Sequence, residues 1–179
     1  MRNASSLACI AIATVVTTAT VGARAATAET ERMTARLATA GGEDVGTVSF
    51  ERTPSGLTRV VVDVAGLPAG TRAMHVHETG VCDPATGFSS AGGHYAAGMA
   101  HGVGSEGGPH PGDFPNLEIP AGGAVKVEFF TDRIDVGANG EHPLADGDGS
   151  AVVIHAGADD YVSQPAGNAG DRIACGVIE

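Results

Sequence analysis

Seven histidines stand in the chain, at positions 75, 77, 94, 101, 110, 142 and 155, and their spacing suggests metal chemistry. His75 and His77 lie two apart in the strand-like run Ala73–His77. A strand alternates its side chains between faces, so both imidazoles fall on one side and can reach one ion. Alone, such an H-x-H pair reads as readily as two surface histidines. A second group follows among glycines: His94, His101, His110 and Asp113. Three imidazoles and a carboxylate suit tetrahedral zinc, and the lack of thiolates argues against a cysteine-type zinc finger. His155 ends the apolar run Val152-Val153-Ile154, on rigid backbone. With His75 and His77 it makes an imidazole-rich set that suits copper. His142, in the polar segment 139–148, has no metal role and is expected in solvent.

Eight segments read as the strands that position these residues: Met33–Ala38, Val45–Arg52, Leu57–Val64, Ala73–His77, Leu117–Ile119, Ala124–Asp132, Ser150–His155 and Arg172–Ile178. Several alternate apolar and polar residues, as half-buried strands do. Thr53-Pro54-Ser55-Gly56 reads as a hairpin turn. Glycine is abundant, at 27 residues, without a collagen-like period, and tryptophan is absent, so the core rests on Val, Ile, Leu and Ala. No amphipathic helix is evident. The expected fold is all-β: an eight-stranded antiparallel Greek-key β-barrel or sandwich with long metal-binding loops. It fills one domain over residues 33–179, with residues 26–32 frayed. The stretch from Glu78 to Pro115 is unusually long for a loop inside a compact domain, and such loops are often functional. A disulfide and a metal are the natural means of ordering it.

The formal net charge of −11 sets nucleic acid and anionic membrane surfaces aside as partners. Residues 1–25 have the parts of a signal peptide: Arg2, an apolar stretch from Leu7 to about Val21, and the A-x-A-like site Ala23-Arg24-Ala25. The stretch is short and threonine-interrupted for a membrane anchor, and Ser6-Leu7-Ala8 before Cys9 is a poor lipobox. The mature chain is expected without a membrane span, exported to the periplasm, cell envelope or exterior. After cleavage Cys82 and Cys175 remain, and an even count in an exported protein reads as one disulfide.

The order of these elements resembles the copper–zinc superoxide dismutase family, in its bacterial exported branch. H-x-H is followed by S-A-G-G-H, by a loop with H…H-x-x-D, by an apolar strand ending in His, and by G-N-A-G-D-R-I-A-C-G-V-I. The resemblance runs from Val45 to Ile178, and Gly167–Ile178 is its most specific piece. It implies copper ligands at His75, His77, His94 and His155. It implies zinc ligands at His94, His101, His110 and Asp113, with His94 bridging the two metals. It further implies an anion-guiding role for Arg172, a carboxylate at Asp159 joining a copper-side and a zinc-side histidine, and a Cys82–Cys175 disulfide tying the long loop to the last strand. On the local sequence alone, Arg172 reads equally as a surface ion pair with Asp171. The implied activity is disproportionation of superoxide to dioxygen and hydrogen peroxide by redox cycling of bound copper, with Arg172 and His94 as catalytic residues. Three stretches depart from the pattern. Arg72-Ala73-Met74 stands where H-G-F is usual, Val81 where a small or acidic residue is usual, and the interval from His94 to His101 is short, with Ala96-Ala97 after the bridging position. The alternatives are a non-catalytic copper- or zinc-binding protein of the cell envelope, a copper-only dismutase, and a structural sandwich with incidental histidines. The choice between monomer and homodimer stays open.

Overall fold

The chain is described by a computed structural model over residues 31–179 together with Met1; the signal-peptide reading of residues 1–25 and the stretch 26–30 lie outside the described residues. Nine strands form in the order β1 (Arg32–Thr39), β2 (Asp44–Arg52), β3 (Thr58–Val64), β4 (Gly70–Arg72), β5 (Met74–His77), β6 (Leu117–Ile119), β7 (Val125–Thr131), β8 (Ala151–His155) and β9 (Arg172–Val177). The eight expected strands all appear within a residue or two of their expected ends. The ninth, β4, pairs with β6 and had no sequence signal, since Gly-Thr-Arg carries no apolar residue to alternate. Glu31 and Arg32 are not frayed as expected: Arg32 pairs with Glu51, and the Glu31 carbonyl accepts the Arg52 N–H at 3.0 Å.

Seven strands make one antiparallel sheet in the order β5-β8-β9-β1-β2-β3-β7. Alternation builds its inner face. In β3, Thr58, Val60, Val62 and Val64 are buried, and Asp63 between them is exposed. In β2, Val45, Val48 and Phe50 do the same. Gly56, at φ 88°, closes the β2–β3 turn, where its N–H donates to the Thr53 carbonyl at 3.0 Å. The core continues through Leu37, Met74, Val76, Val152 and Ile154. Ile134, Val136 and Leu144, from the segment between β7 and β8, are buried in it too; for Leu144 the polar composition of residues 139–148 conceals this.

β8 breaks the alternation because all five of its residues are buried. Its outer face, with Ala151 and Val153, packs with Phe88, Ala91 and Cys175 in a second apolar cluster. The long loop therefore lies over the outer face of β5-β8-β9, and strands covered on both faces read as continuous apolar runs. Two short 3-10 turns, Pro84–Thr86 and Ser89–Ala91, stiffen this loop, the first capped by Asp83, whose carboxylate accepts the Ala85 N–H at 2.9 Å. Phe114 pins the far end of the loop, its ring 6.4 Å from Phe50 and 5.1 Å from Phe129. Among the described residues, no helix is long and apolar enough to cross a membrane.

Candidate metal centre

β5 lies at an edge of the sheet, and its free edge explains how distant residues meet. The Val76 N–H donates to the Gly112 carbonyl at 2.9 Å, and the Val76 carbonyl accepts the Tyr95 N–H at 2.9 Å. An unpaired strand edge needs partners, and here the long loop supplies them. The resulting bridges set His75 opposite Asp113 and His77 opposite His94. On the other side β5 pairs with β8, whose register shifts between Ile154 and His155 before His155 meets Arg172 of β9. Met74 and Val76 enter the core while His75 and His77 face outward under the loop, as the period-two reading expects.

Two four-ligand groups result. His75, His77, His94 and His155 bring ring nitrogens within 4.8 Å of one another. His94, His101, His110 and Asp113 form the other group, so His94 belongs to both. The rings of His75 and His94 lie 4.0 Å apart. The Nδ1 atoms of His94, His101 and His110 all point at Asp113 Oδ1, at 3.1, 3.1 and 3.2 Å. All five histidines in the second and first groups other than His94 are under 5 % exposed, and His94 is 7 % exposed. His142 belongs to neither group; it is half-buried rather than free in solvent, its ring edge-on to Tyr95 at 6.5 Å.

Hydrogen bonds at the back of each ring decide which nitrogen is left to bind. His75 donates from Nε2 to Asp159 Oδ2 at 2.9 Å, and His101 from Nε2 to Asp159 Oδ1 at 2.9 Å. His77 Nδ1 donates to the Gly92 carbonyl, and His155 Nδ1 to the Gly170 carbonyl, each at 3.1 Å. Burial holds His75, His77 and His155 neutral, pulling their pKa values down to about 4, 2 and 3. A neutral ring whose first nitrogen donates presents a bare lone pair at the second. The lone pairs of His77 and His155 face each other, Nε2 to Nε2, at 3.4 Å. His75 Nδ1 and His94 Nε2 are buried with no hydrogen-bond partner. His101 Nδ1 presents its lone pair to a carboxylate. Buried acceptors facing acceptors are costly unless a cation sits between them, so the residues fit two metal ions. Burial alone would raise the Asp113 pKa, but hydrogen bonds from His94 and the Gly102 N–H, with His110 and His101 alongside, bring it well below the usual carboxylate range. Asp159 is lowered in the same way, burial being outweighed by hydrogen bonds from His75, His101 and the Tyr161 N–H.

Comparison with known proteins agrees with this geometry. The family model for copper/zinc superoxide dismutase matches residues 45–178. The chain belongs to the copper/zinc superoxide dismutase family. It is 42% identical over 146 residues to "Superoxide dismutase [Cu-Zn] 2" of Aquifex aeolicus, covering 80% of this chain and 84% of that protein. It is 40% identical over 141 residues to the copper–zinc superoxide dismutase of Caulobacter vibrioides, covering 77% and 80%. Among solved structures it resembles a superoxide dismutase-like protein from Bacillus subtilis, with TM-score 0.75, 33% identity and 80% and 96% coverage. The copper/zinc superoxide dismutase of Brucella abortus gives TM-score 0.65, 30% identity and 83% and 100% coverage.

Within this family member, Arg172 is not paired with Asp171. Its Nη1 and Nη2 donate to the carbonyls of Phe88 and Gly92, each at 2.6 Å. Gly92 thus anchors both Arg172 and the ring of His77, which belongs to the all-histidine group. Among the described residues Arg172 makes these two hydrogen bonds and no ion pair, so three of its five N–H donors have no protein acceptor there. The Cys82–Cys175 disulfide is present, its Cα atoms 5.7 Å apart across 93 positions of sequence.

The sequence reading passed over several groups that set the site. Asn116 accepts the Asp159 N–H and donates to the Asp159 carbonyl, both at 2.9 Å. Gly167, at φ 63°, packs against Asp159 and His101; a Cβ there would collide with Asp159 Oδ1 and lie 2.6 Å from His101 Nε2. Arg72 donates to the carbonyls of Pro68 at 3.1 Å and of Ala69 and Ala156, which ties the turn after β3 to the residue after His155. The Gly-rich signature around Gly167 was a usable signal for close packing. Arg72 stands in the sequence only as a departure from the family pattern and Asn116 lies just past Asp113, but nothing in the sequence shows which carbonyls either side chain would meet.

Proposed function

We propose that the chain disproportionates superoxide, with copper held by His75 Nδ1, His77 Nε2, His94 Nε2 and His155 Nε2, and zinc by the Nδ1 atoms of His94, His101 and His110 with Asp113. The observation that carries this reading is the pair of buried, unpartnered ring nitrogens, His75 Nδ1 and His94 Nε2, aimed into a set of lone pairs. Copper supplies the one-electron exchange, in which one superoxide is oxidised to dioxygen and a second, with two protons, is reduced to hydrogen peroxide. Zinc is redox-inert, and its ligands hold the loop and fix the His94 ring.

The protein groups then have separate tasks. Arg172 draws the anion in and orients it beside His77, against a chain whose net charge repels anions. His94 would stay held at Nδ1, so its Nε2, once released from the copper, would be the atom that takes up a proton and gives it to the reduced oxygen. Asp159 grips one ring of each group, keeping His75 and His101 in the binding tautomer. The rest of the long loop keeps water off the remaining histidines.

The disulfide supports work in an oxidising compartment, and the composition of residues 1–25 supports a cleaved leader, hence export to periplasm, envelope or exterior. N-terminal sequencing of the mature protein is expected to begin near Ala26. The function itself is tested by copper and zinc stoichiometry measured beside superoxide consumption. One copper, one zinc and rapid consumption are expected. Copper uptake without consumption would leave a metal-binding protein, and uptake of neither metal would remove the proposal.

A further inference from the structure

His101 is held from outside its own loop. Its backbone N–H donates to Gln164 Oε1 at 2.8 Å, and its carbonyl accepts from Gln164 Nε2 at 2.9 Å. The same Nε2 reaches Ser105 Oγ at 3.1 Å and the Val162 carbonyl at 3.0 Å. One side-chain amide thereby satisfies both main-chain groups of a fully buried residue, the service a neighbouring strand would normally give. Neither group of His101 has another partner among the described residues. Two further links close the same seam: the Gly104 N–H donates to the Tyr161 carbonyl at 3.0 Å, and Ser105 Oγ to the Val162 carbonyl at 3.2 Å. Gly102, at φ 85°, lets the Tyr161 carbonyl approach where a Cβ would collide with it.

We propose that Gln164 is a positioning residue for zinc: its amide fixes the His101 main chain so that Nδ1 stays on the donor set of His94, His110 and Asp113. The inference rests on the zinc assignment above. His101 is then fixed at two points, its ring by Asp159 at Nε2 and its backbone by Gln164. With both fixed, the ring neither rotates nor slides off the metal. Gln164 itself is exposed, so its removal opens no cavity in either apolar cluster. It makes no hydrogen bond to His75, His77 or His155, though it lines one small cavity with His155. The clamp's hydrogen bonds therefore act on the zinc-side backbone and not on the copper-side rings. It also stands across from the short His94–His101 interval, where the loop has few residues with which to brace itself.

The test uses the copper- and zinc-loaded full protein as wild type, Gln164→Ala and Gln164→Glu. Zinc release to a chelator is timed, the zinc site is read by the visible spectrum of cobalt(II) substituted there, and copper by its electron paramagnetic resonance. Gln164→Ala is expected to release zinc about 10-fold faster, the low end for groups that orient metal ligands. Its cobalt bands should shift, with copper content and resonance unchanged. Gln164→Glu, nearly isosteric, keeps the acceptor for the His101 N–H but sets an oxygen against the His101 carbonyl, and should be impaired at least as much. It carries the test should the alanine variant not fold. Identical release and cobalt spectra in all three proteins overturn the inference. Parallel loss of copper and zinc also overturns it, by making Gln164 a general stabiliser. A wild type that takes up copper but no zinc or cobalt removes the zinc assignment itself, and the inference with it.

Discussion

The copper side and the zinc side are built in different ways. Three of the proposed copper ligands, His75, His77 and His155, stand on the paired strands β5 and β8, whose backbones are locked by ladder hydrogen bonds. All four proposed zinc ligands stand in the long loop. What fixes that loop is a collection of separate ties: the Val76 edge contacts, the Phe114 anchor, the disulfide, the Asn116 and Gln164 amides, and, on the proposal above, zinc. A sheet fixes a ligand cooperatively, so no single contact matters greatly. A loop fixes one by a few specific bonds, each removable. His94 belongs to both worlds, bridged to His77 by backbone and to Asp113 by its ring.

Removing one copper ligand should break the comparison most sharply. His155→Ala is expected to lose copper and essentially all superoxide consumption, while keeping zinc and the wild-type loop. Metal analysis of the purified variant decides it; equal loss of zinc would mean the two sides are not separable. Opening the disulfide by Cys82→Ser with Cys175→Ser should cost about 4–5 kcal/mol by chain entropy, an upper figure. The loss should fall on the zinc side, seen as zinc release at denaturant concentrations where β5 and β8 amides still resist exchange.

Arg172→Ala should leave both metals in place and slow superoxide consumption by about 10-fold or more, the range of electrostatic steering. The remaining rate should depend less on ionic strength than that of the wild type. An unchanged rate and salt response would remove the steering role. Acid should distinguish the two sides in the metal-free protein. The folded pKa values of His75, His77 and His155 lie far below the ordinary 6.5, so between those values and 6.5 the unfolded chain binds more protons. Stability is then fully present above pH 6.5 and falls as pH drops, by up to about 1.4 kcal/mol per unit for each histidine. The depressed carboxyls Asp113 and Asp159 add their loss lower, as pH falls below the ordinary carboxylate range. Urea melts of the metal-free protein between pH 8 and 4 measure the slope; a flat profile contradicts it. The smallest effect is expected for Arg72→Ala, about 1–2 kcal/mol from its lost carbonyl contacts. Its copper resonance should broaden slightly while zinc binding stays the same.

Much of the fold was legible. Alternation in 45–52, 57–64 and 124–132 is a local consequence of a sheet with one buried face, so it survives in sequence. β4 was missed because Gly-Thr-Arg offers no apolar residue to alternate, unlike the equally short Leu117–Ile119. Arg32 was read as frayed because its polar neighbours hide a backbone pairing that involves no side-chain pattern. His142 was expected in solvent because the burial of Leu144 and its neighbours depends on packing that composition does not reveal. The reading of Arg172 as an ion pair with Asp171 closed once its guanidinium was found on two carbonyls of the long loop.

The sequence by itself determined the ligand types, their order, and the strand faces that carry His75, His77 and His155, because side-chain chemistry and period-two geometry are local properties. The tertiary structure decided which ring nitrogen each histidine offers, that Asp159 holds one histidine of each group, and that Asn116 and Gln164 grip backbones remote in sequence. Those features depend on carbonyls and amides meeting across loops, and every residue has a carbonyl. Gly92 and Gly170 sit in the signature stretches, but until the chain is folded nothing says that their carbonyls will hold His77 and His155.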